Sequence, residues 1–331
     1  MSPRQVVVRL LLLATIAVAA LVLSVRVGAV SMTTMGVLEA IGGEGDPASI
    51  AIVRQLRLPR AVVASLVGAA LAASGATFQA LLRNPLAEPY ILGVSGGAAV
   101  GAVGAIVLGI ATRATWIVPA AAFVGAIVAV LTVLRIAASV GRSLDTRVLL
   151  LAGVVVGSFF NACILLALTL TDAESFRSAI FWMMGSFAGA SWTSAGIFTA
   201  YFVPALALLV ALGRPLNLMA IGEETAAHLG ASVETVKLLA YGTASLLTAA
   251  AVAVSGVIGF VGLIIPHVIR IAWGGDYRFL IPASALLGAA FLVSADSIAR
   301  IAAAPTELPV GVVTAFVGVP FFVWLLRRRA V

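Results

Sequence analysis

Few of the 331 residues could do chemistry at all. A nucleotide-binding P-loop needs Gly-Lys-Ser or Gly-Lys-Thr, and the single lysine, Lys237, follows Val236. Any nucleotide chemistry must therefore come from another chain. His228, His267 and Cys163 are the only His and Cys residues and lie in separate segments, which argues against a metal centre. No nucleophile has a base near it in sequence, so an embedded enzyme is not indicated. What remains is a set of ionisable groups beside apolar runs, where charge is costly. Asp296 and Arg300 stand at i and i+4, with Glu307 following. They can neutralise each other as a helix ion pair. Alternatively Asp296 couples a proton, which would make the chain a secondary transporter. Their place near the end of the apolar run rather than its middle favours the ion pair. Arg54, Arg57 and Arg60 precede another run, as headgroup anchors or as a patch for an acidic partner, and Arg300 joins them if the two runs are neighbours.

The elements that would carry these groups are membrane helices. With 62% hydrophobic and 10% charged residues and a mean hydropathy of +1.18, the chain has too little polar surface for a soluble domain. The net charge of +7 does not point to nucleic acid, because the arginines sit singly or in small groups between apolar runs, as at membrane boundaries. Runs able to span occur near 6–27, 60–82, 91–110, 115–135, 147–170, 192–212, 235–256, 258–271, 279–299 and 308–326. The fold class expected is thus an all-α polytopic membrane protein of ten transmembrane helices, with residues 1–331 as a single transmembrane domain. The first run reads as a retained helix, not a signal peptide, since no small-x-small cleavage site follows it. With both termini in the cytoplasm, thirteen of the twenty Lys and Arg residues fall inside, which agrees with the positive-inside rule.

Several stretches stand out. Ala72-Ala73-Ser74-Gly75 reaches Pro85 ten residues on, and Ala253-Val254-Ser255-Gly256 reaches Pro266 at the same spacing, five spans later. That is the pattern of an inverted-topology internal repeat. The glycines Gly93, Gly96, Gly97, Gly101 and Gly104 read as a close helix-packing face. Two prolines in the link 82–89 make it a helix breaker or a constriction on a pathway. Ser158 and Asn161, three residues apart on the fifth span, are candidate pathway lining or bonds to a neighbouring helix. The longest polar interruption, residues 214–234, reads as two short helices broken at Gly222, with Glu223 and Glu224 in the first turn of the second, His228 in its last and Gly230 beyond its end. Leu216, Met219 and Leu229 are its apolar side chains. It is either an amphipathic turn resting on the membrane or a docking knob for a soluble protein.

Arg57-Leu58-Pro59-Arg60, residues 68–75, Gln79, Asn84-Pro85-Leu86-Ala87-Glu88-Pro89, Leu92-Gly93-Val94, Leu151-Ala152-Gly153, Trp182-Met183-Met184-Gly185, Gly222-Glu223, Leu229-Gly230, residues 259–267, Ala295-Asp296 and Glu307-Leu308-Pro309-Val310-Gly311 together resemble the FecCD-type permeases of type II ABC importers. The resemblance runs from about residue 54 to the C-terminus; before that it rests on hydropathy alone. It implies a non-catalytic subunit of the inner membrane, paired with a second copy of itself, two cytoplasmic ATP-binding subunits that carry ATP and Mg, and an external substrate-binding protein. No cofactor is expected on this chain. Leu216, Met219, Gly222, Glu223, Leu229 and Gly230 would couple to the ATPase. Arg57, Arg60 and Arg300 would dock the binding protein. Asn84, Leu86, Arg142 and Ser143 would form the cytoplasmic gate, and residues 172–187 an outer amphipathic helix. The substrate expected is an iron chelate, siderophore or haem, with cobalamin as the alternative.

Overall fold

The computed structural model describes residues 2–28, 30, 32–140 and 145–329. The helices are α1 (Pro3–Arg26), α2 (Thr34–Gly42), α3 (Pro47–Ala51), α4 (Leu58–Leu81), α5 (Val94–Val107), α6 (Ile117–Val140), α7 (Thr146–Thr169), α8 (Ala173–Met183), α9 (Trp192–Ala211), α10 (Gly213–Ile221), α11 (Glu223–His228), α12 (Val233–Ser255), α13 (Val261–Trp273), α14 (Tyr277–Ile301) and α15 (Val310–Arg329). A π-helical turn, Ile52–Arg57, leads into α4, and a short 3₁₀ turn, Pro89–Leu92, leads into α5. No strand occurs among the described residues.

Short polar side chains set where the long helices begin. Ser2 caps α1, Asp145 caps α7, Ser191 caps α9 and Asp276 caps α14, each accepting a backbone N–H that the helix itself leaves unpaired. Seven stretches are long and apolar enough to cross a membrane: α1, residues 47–81 ending with α4, α6, α7, α9, α12 and α14. The shorter apolar helices α5, α13 and Val310–Leu325 of α15 stand where the third, eighth and tenth spans are expected.

α4 is the central post. It is buried on nearly all sides, as an evenly apolar, small-residue helix must be, and packs most extensively against α14. By contrast α1 and α9 leave most of their length open at the periphery. The glycine run of α5 works as a packing face against α6, and at Gly101 a Cβ would stand 2.0 Å from the carbonyl oxygen of Ala121. Two links fold inward and meet. Glu88 Oε1 accepts the Phe260 N–H at 2.5 Å, and the Tyr90 hydroxyl bonds both the N–H and the carbonyl of Ile258. The short helices that follow, α5 and α13, both start from a left-handed residue, Gly93 (φ 79°) and Phe260 (φ 70°). The sequence match that suggested a repeat does not carry over into local structure. Gly75 and Pro85 lie inside α4 and in a loop, whereas Gly256 and Pro266 lie just past α12 and inside α13.

Candidate functional site

The two ends of α4 carry two clusters of charge, separated by roughly 36 Å for a 24-residue helix. At the end where α4 finishes, α10 and α11 form a bent pair that breaks at Gly222 (φ 156°), with Gly230 in the left-handed region (φ 84°) just beyond. Their anchoring corrects the expectation that Leu216 and Met219 face a partner. Both are at most 1% exposed because they fill the core beneath α10. Asn217 adds a polar staple: its Nδ2 donates to Asp276 at 2.7 Å, and its Oδ1 accepts the Tyr277 N–H at 2.9 Å. Arg278 holds the Asp276 carboxyl well below the usual carboxylate range, with Asn217 adding to the effect. The apolar side chains left open are Leu229 (61% exposed) and Ile221 (71%). Ile221 was missed in the sequence, where helical spacing alone does not say which face the core takes.

Glu223 also turns inward. Its Oε2 accepts from Lys237 Nζ at 2.6 Å, its Oε1 accepts from Thr146 Oγ1 at 3.2 Å, and Arg83 stands 4.0 Å away. A cleft of about 610 Å³ opens beside it, lined by Arg83, Asp145, Thr146, Arg147, Glu223 and Glu224 among others.

At the other end, five ionisable residues close into a network across α1, α4 and α14. Arg60 donates to both carboxylate oxygens of Asp296 (2.9–3.2 Å) and to Glu307 at 2.8 Å. Arg300 lies 3.3 Å from Asp296 and donates to Val27 O at 2.8 Å and Ser24 O at 2.9 Å. Arg57 donates to Val25 O at 3.0 Å, Arg26 O at 3.1 Å and Val30 O. α4 and α14 are thus the neighbours that bring Arg300 to Arg57 and Arg60. Arg57 and Arg300, however, are buried, and their guanidiniums are committed to carbonyls at the end of α1 that helix geometry leaves without partners. This corrects the expectation that they face outward. Asp296 is held between two arginines, the ion-pair alternative, rather than standing open for proton coupling.

The remaining expected positions are scattered. Asn84 is exposed on the link after α4, where its side chain accepts the Leu86 N–H at 2.9 Å, and Leu86 is half-buried. Arg142 and Ser143 lie outside the described residues. Ser158 and Asn161 fall on the exposed face of α7 with Leu151, Val154, Val155 and Phe159, and Ser158 bonds back to Val154 O. Asp172 caps α8, an amphipathic helix packed on α5 that exposes Phe176 and Phe181.

The helical bundle thus carries an anchored pair of short helices at one end and a closed ionic network at the other. The comparison with known proteins gives the family: residues 15–328 match the FecCD transport family, and the chain belongs to it. It is 45% identical to the cobalamin import system permease BtuC of Halobacterium salinarum, over 96% of this chain and 90% of that one. It is 44% identical to the uncharacterised ABC transporter permease YvrB of Bacillus subtilis, over 87% and 82% respectively. Among solved structures, an inward-facing ABC transporter described as of metal-chelate type superposes with a TM-score of 0.87 at 31% identity, covering 96% of this chain and 98% of that one. The protein is a multi-pass permease subunit of a type II ABC importer, and its likeness to ABC transporter permeases implies partnership with an ATPase and a substrate-binding protein.

Proposed function

We propose that this chain forms, with a second copy of itself, the pathway by which a cobalt corrinoid such as cobalamin enters the cell across the inner membrane. The observation that carries the reading is the 45% identity to a cobalamin permease across nearly the whole chain. An iron chelate is the second reading, favoured by the likeness to a metal-chelate type transporter. Both termini and the α10–α11 pair lie in the cytoplasm, where Ile221 and Leu229 seat in a groove on each of two ATP-binding subunits. The external binding protein meets the opposite end, where Glu307, beside Arg60, is exposed and Arg54 is exposed on the turn before α4. Asn84 and Leu86 narrow the cytoplasmic mouth. Ser158 and Asn161, exposed on α7, line the path with few polar groups, which lets a large chelate slide without sticking. ATP-driven closure of the ATPases moves the paired α10–α11 elements and rocks the two copies between inward-closed and inward-open states.

The test is uptake into proteoliposomes carrying the permease with its ATPase and binding protein, offered cyanocobalamin, a ferric hydroxamate siderophore or haemin. ATP-dependent accumulation of cyanocobalamin alone is expected. Accumulation of the ferric siderophore or haemin instead overturns the corrinoid in favour of the iron reading. Uptake that ignores ATP but collapses with a protonophore overturns the importer mechanism itself.

A further inference from the structure

We propose that the Glu223–Lys237 ion pair is a strut that passes the displacement of α11 into the membrane helix α12, so that Glu223 acts inside the permease and not on the ATPase. The inference rests on the reading of α10–α11 as the ATPase-facing element. Glu223 is the first residue of a six-residue helix that buries only Ala226. A helix that short has no stability of its own, so its position is set by what it is tied to. α10 is tied by apolar burial, through Leu216 and Met219. α11 is tied through the buried Ala226 and through the Glu223 carboxylate, which reaches α12 through Lys237 at 2.6 Å and the first turn of α7 through Thr146 at 3.2 Å.

Lys237 is the only lysine of the chain and is 1% exposed, inside the first turns of α12. A buried ammonium is expensive unless a carboxylate is held against it, so the pair resists separation more than a surface ion pair would. α12 then runs through the bundle to Ser255, whose carbonyl accepts the Ser186 N–H at 2.8 Å, and Gly256 packs there against Trp182 and Gly185. Motion delivered to the head of α12 therefore reaches the opposite end through a continuous, packed helix.

The experiment uses the full complex in nanodiscs and compares wild type, Glu223→Gln, and the double variant Glu223→Gln with Lys237→Met. The double variant leaves no uncompensated buried charge, so it removes the strut without the penalty of a broken pair. Backbone hydrogen exchange is followed over residues 223–228 and 233–245, with and without ATP plus vanadate. In wild type both segments should change by about fivefold or more, the lower end of ordinary coupling between sites. In the double variant, α11 should still respond while α12 does not, with the ATP-binding subunit retained. A response of α12 equal to wild type in the double variant overturns the strut. Loss of the ATP-binding subunit from Glu223→Gln also overturns it, by placing Glu223 on the ATPase surface. A wild-type chain that purifies without any ATP-binding subunit sinks the partner reading first, and the strut with it.

Discussion

The two charged ends of α4 use similar residues to opposite effect. At the α1 end, Arg57, Arg60, Asp296, Arg300 and Glu307 satisfy one another or the carbonyls at the end of α1, so three helices are bound into one block. At the α10–α11 end the Glu223–Lys237 pair holds a marginal helix beside exposed Ile221 and Leu229. The first cluster spends its charge on internal order, while the second uses one carboxylate to keep an apolar surface available. The difference teaches that charge near a membrane boundary is no guide to docking until its partners are known.

The sharpest way to break this comparison is to replace Ile221 and Leu229 together by Asp. Because both side chains are exposed, the bundle should fold as wild type, while the ATPase is lost on purification and ATP-driven uptake falls to background. Retention of the ATPase would mean that the exposed pair is a lipid-facing surface. Next is Asp296→Asn, which leaves the buried Arg300 and the partly buried Arg60 with reduced compensation and should cost about 3–5 kcal/mol of stability, read by thermal unfolding in detergent. A loss under 1 kcal/mol would show that the carbonyls of α1 alone hold the block together.

Asp276→Asn should cost about 0.5–1 kcal/mol, since Asn still caps α14 but gives up the negative charge at the helix N-terminus and the ion pair to Arg278. The pKa of Asp276 is depressed in the folded protein, so its contribution is fully present above the ordinary value and lost as the pH falls through the lower folded one. The difference between wild type and Asp276→Asn should thus hold from neutral pH down to the ordinary value of 3.8 and narrow only below it. Smallest of all is Glu307→Gln, expected to cost about 0–1 kcal/mol because its bond to Arg60 is half-exposed. A larger loss there would make Glu307 an equal member of the buried block.

Much was legible in the sequence for a plain physical reason: apolar runs, caps and breakers act locally. The run lengths placed the membrane helices within a few residues, and Pro215, Gly222, Glu223 and Gly230 marked the bent pair because capping and backbone freedom depend on near neighbours. The ordered motifs from Arg57 to Gly311 pointed to the family. What the sequence could not say is which way each side chain of a short helix faces. Leu216, Met219, Ile221 and Leu229 are equally apolar on paper, and only the surface beneath α10 separates the first two from the last two.

The sequence by itself determined the class of this protein, its helices and the helix breaks at which function gathers, because hydropathy and backbone propensity are properties of short stretches. Beyond the Asp296–Arg300 pair, which helical spacing already offered, the tertiary structure decided which charges are spent. Arg57 and Arg300 meet the end of α1 across 31 to 276 residues of chain, and Glu223 meets Lys237 across a loop. Whether an ionic group is a docking point or an internal tie depends on what packing brings within 3 Å of it, and no local pattern encodes that.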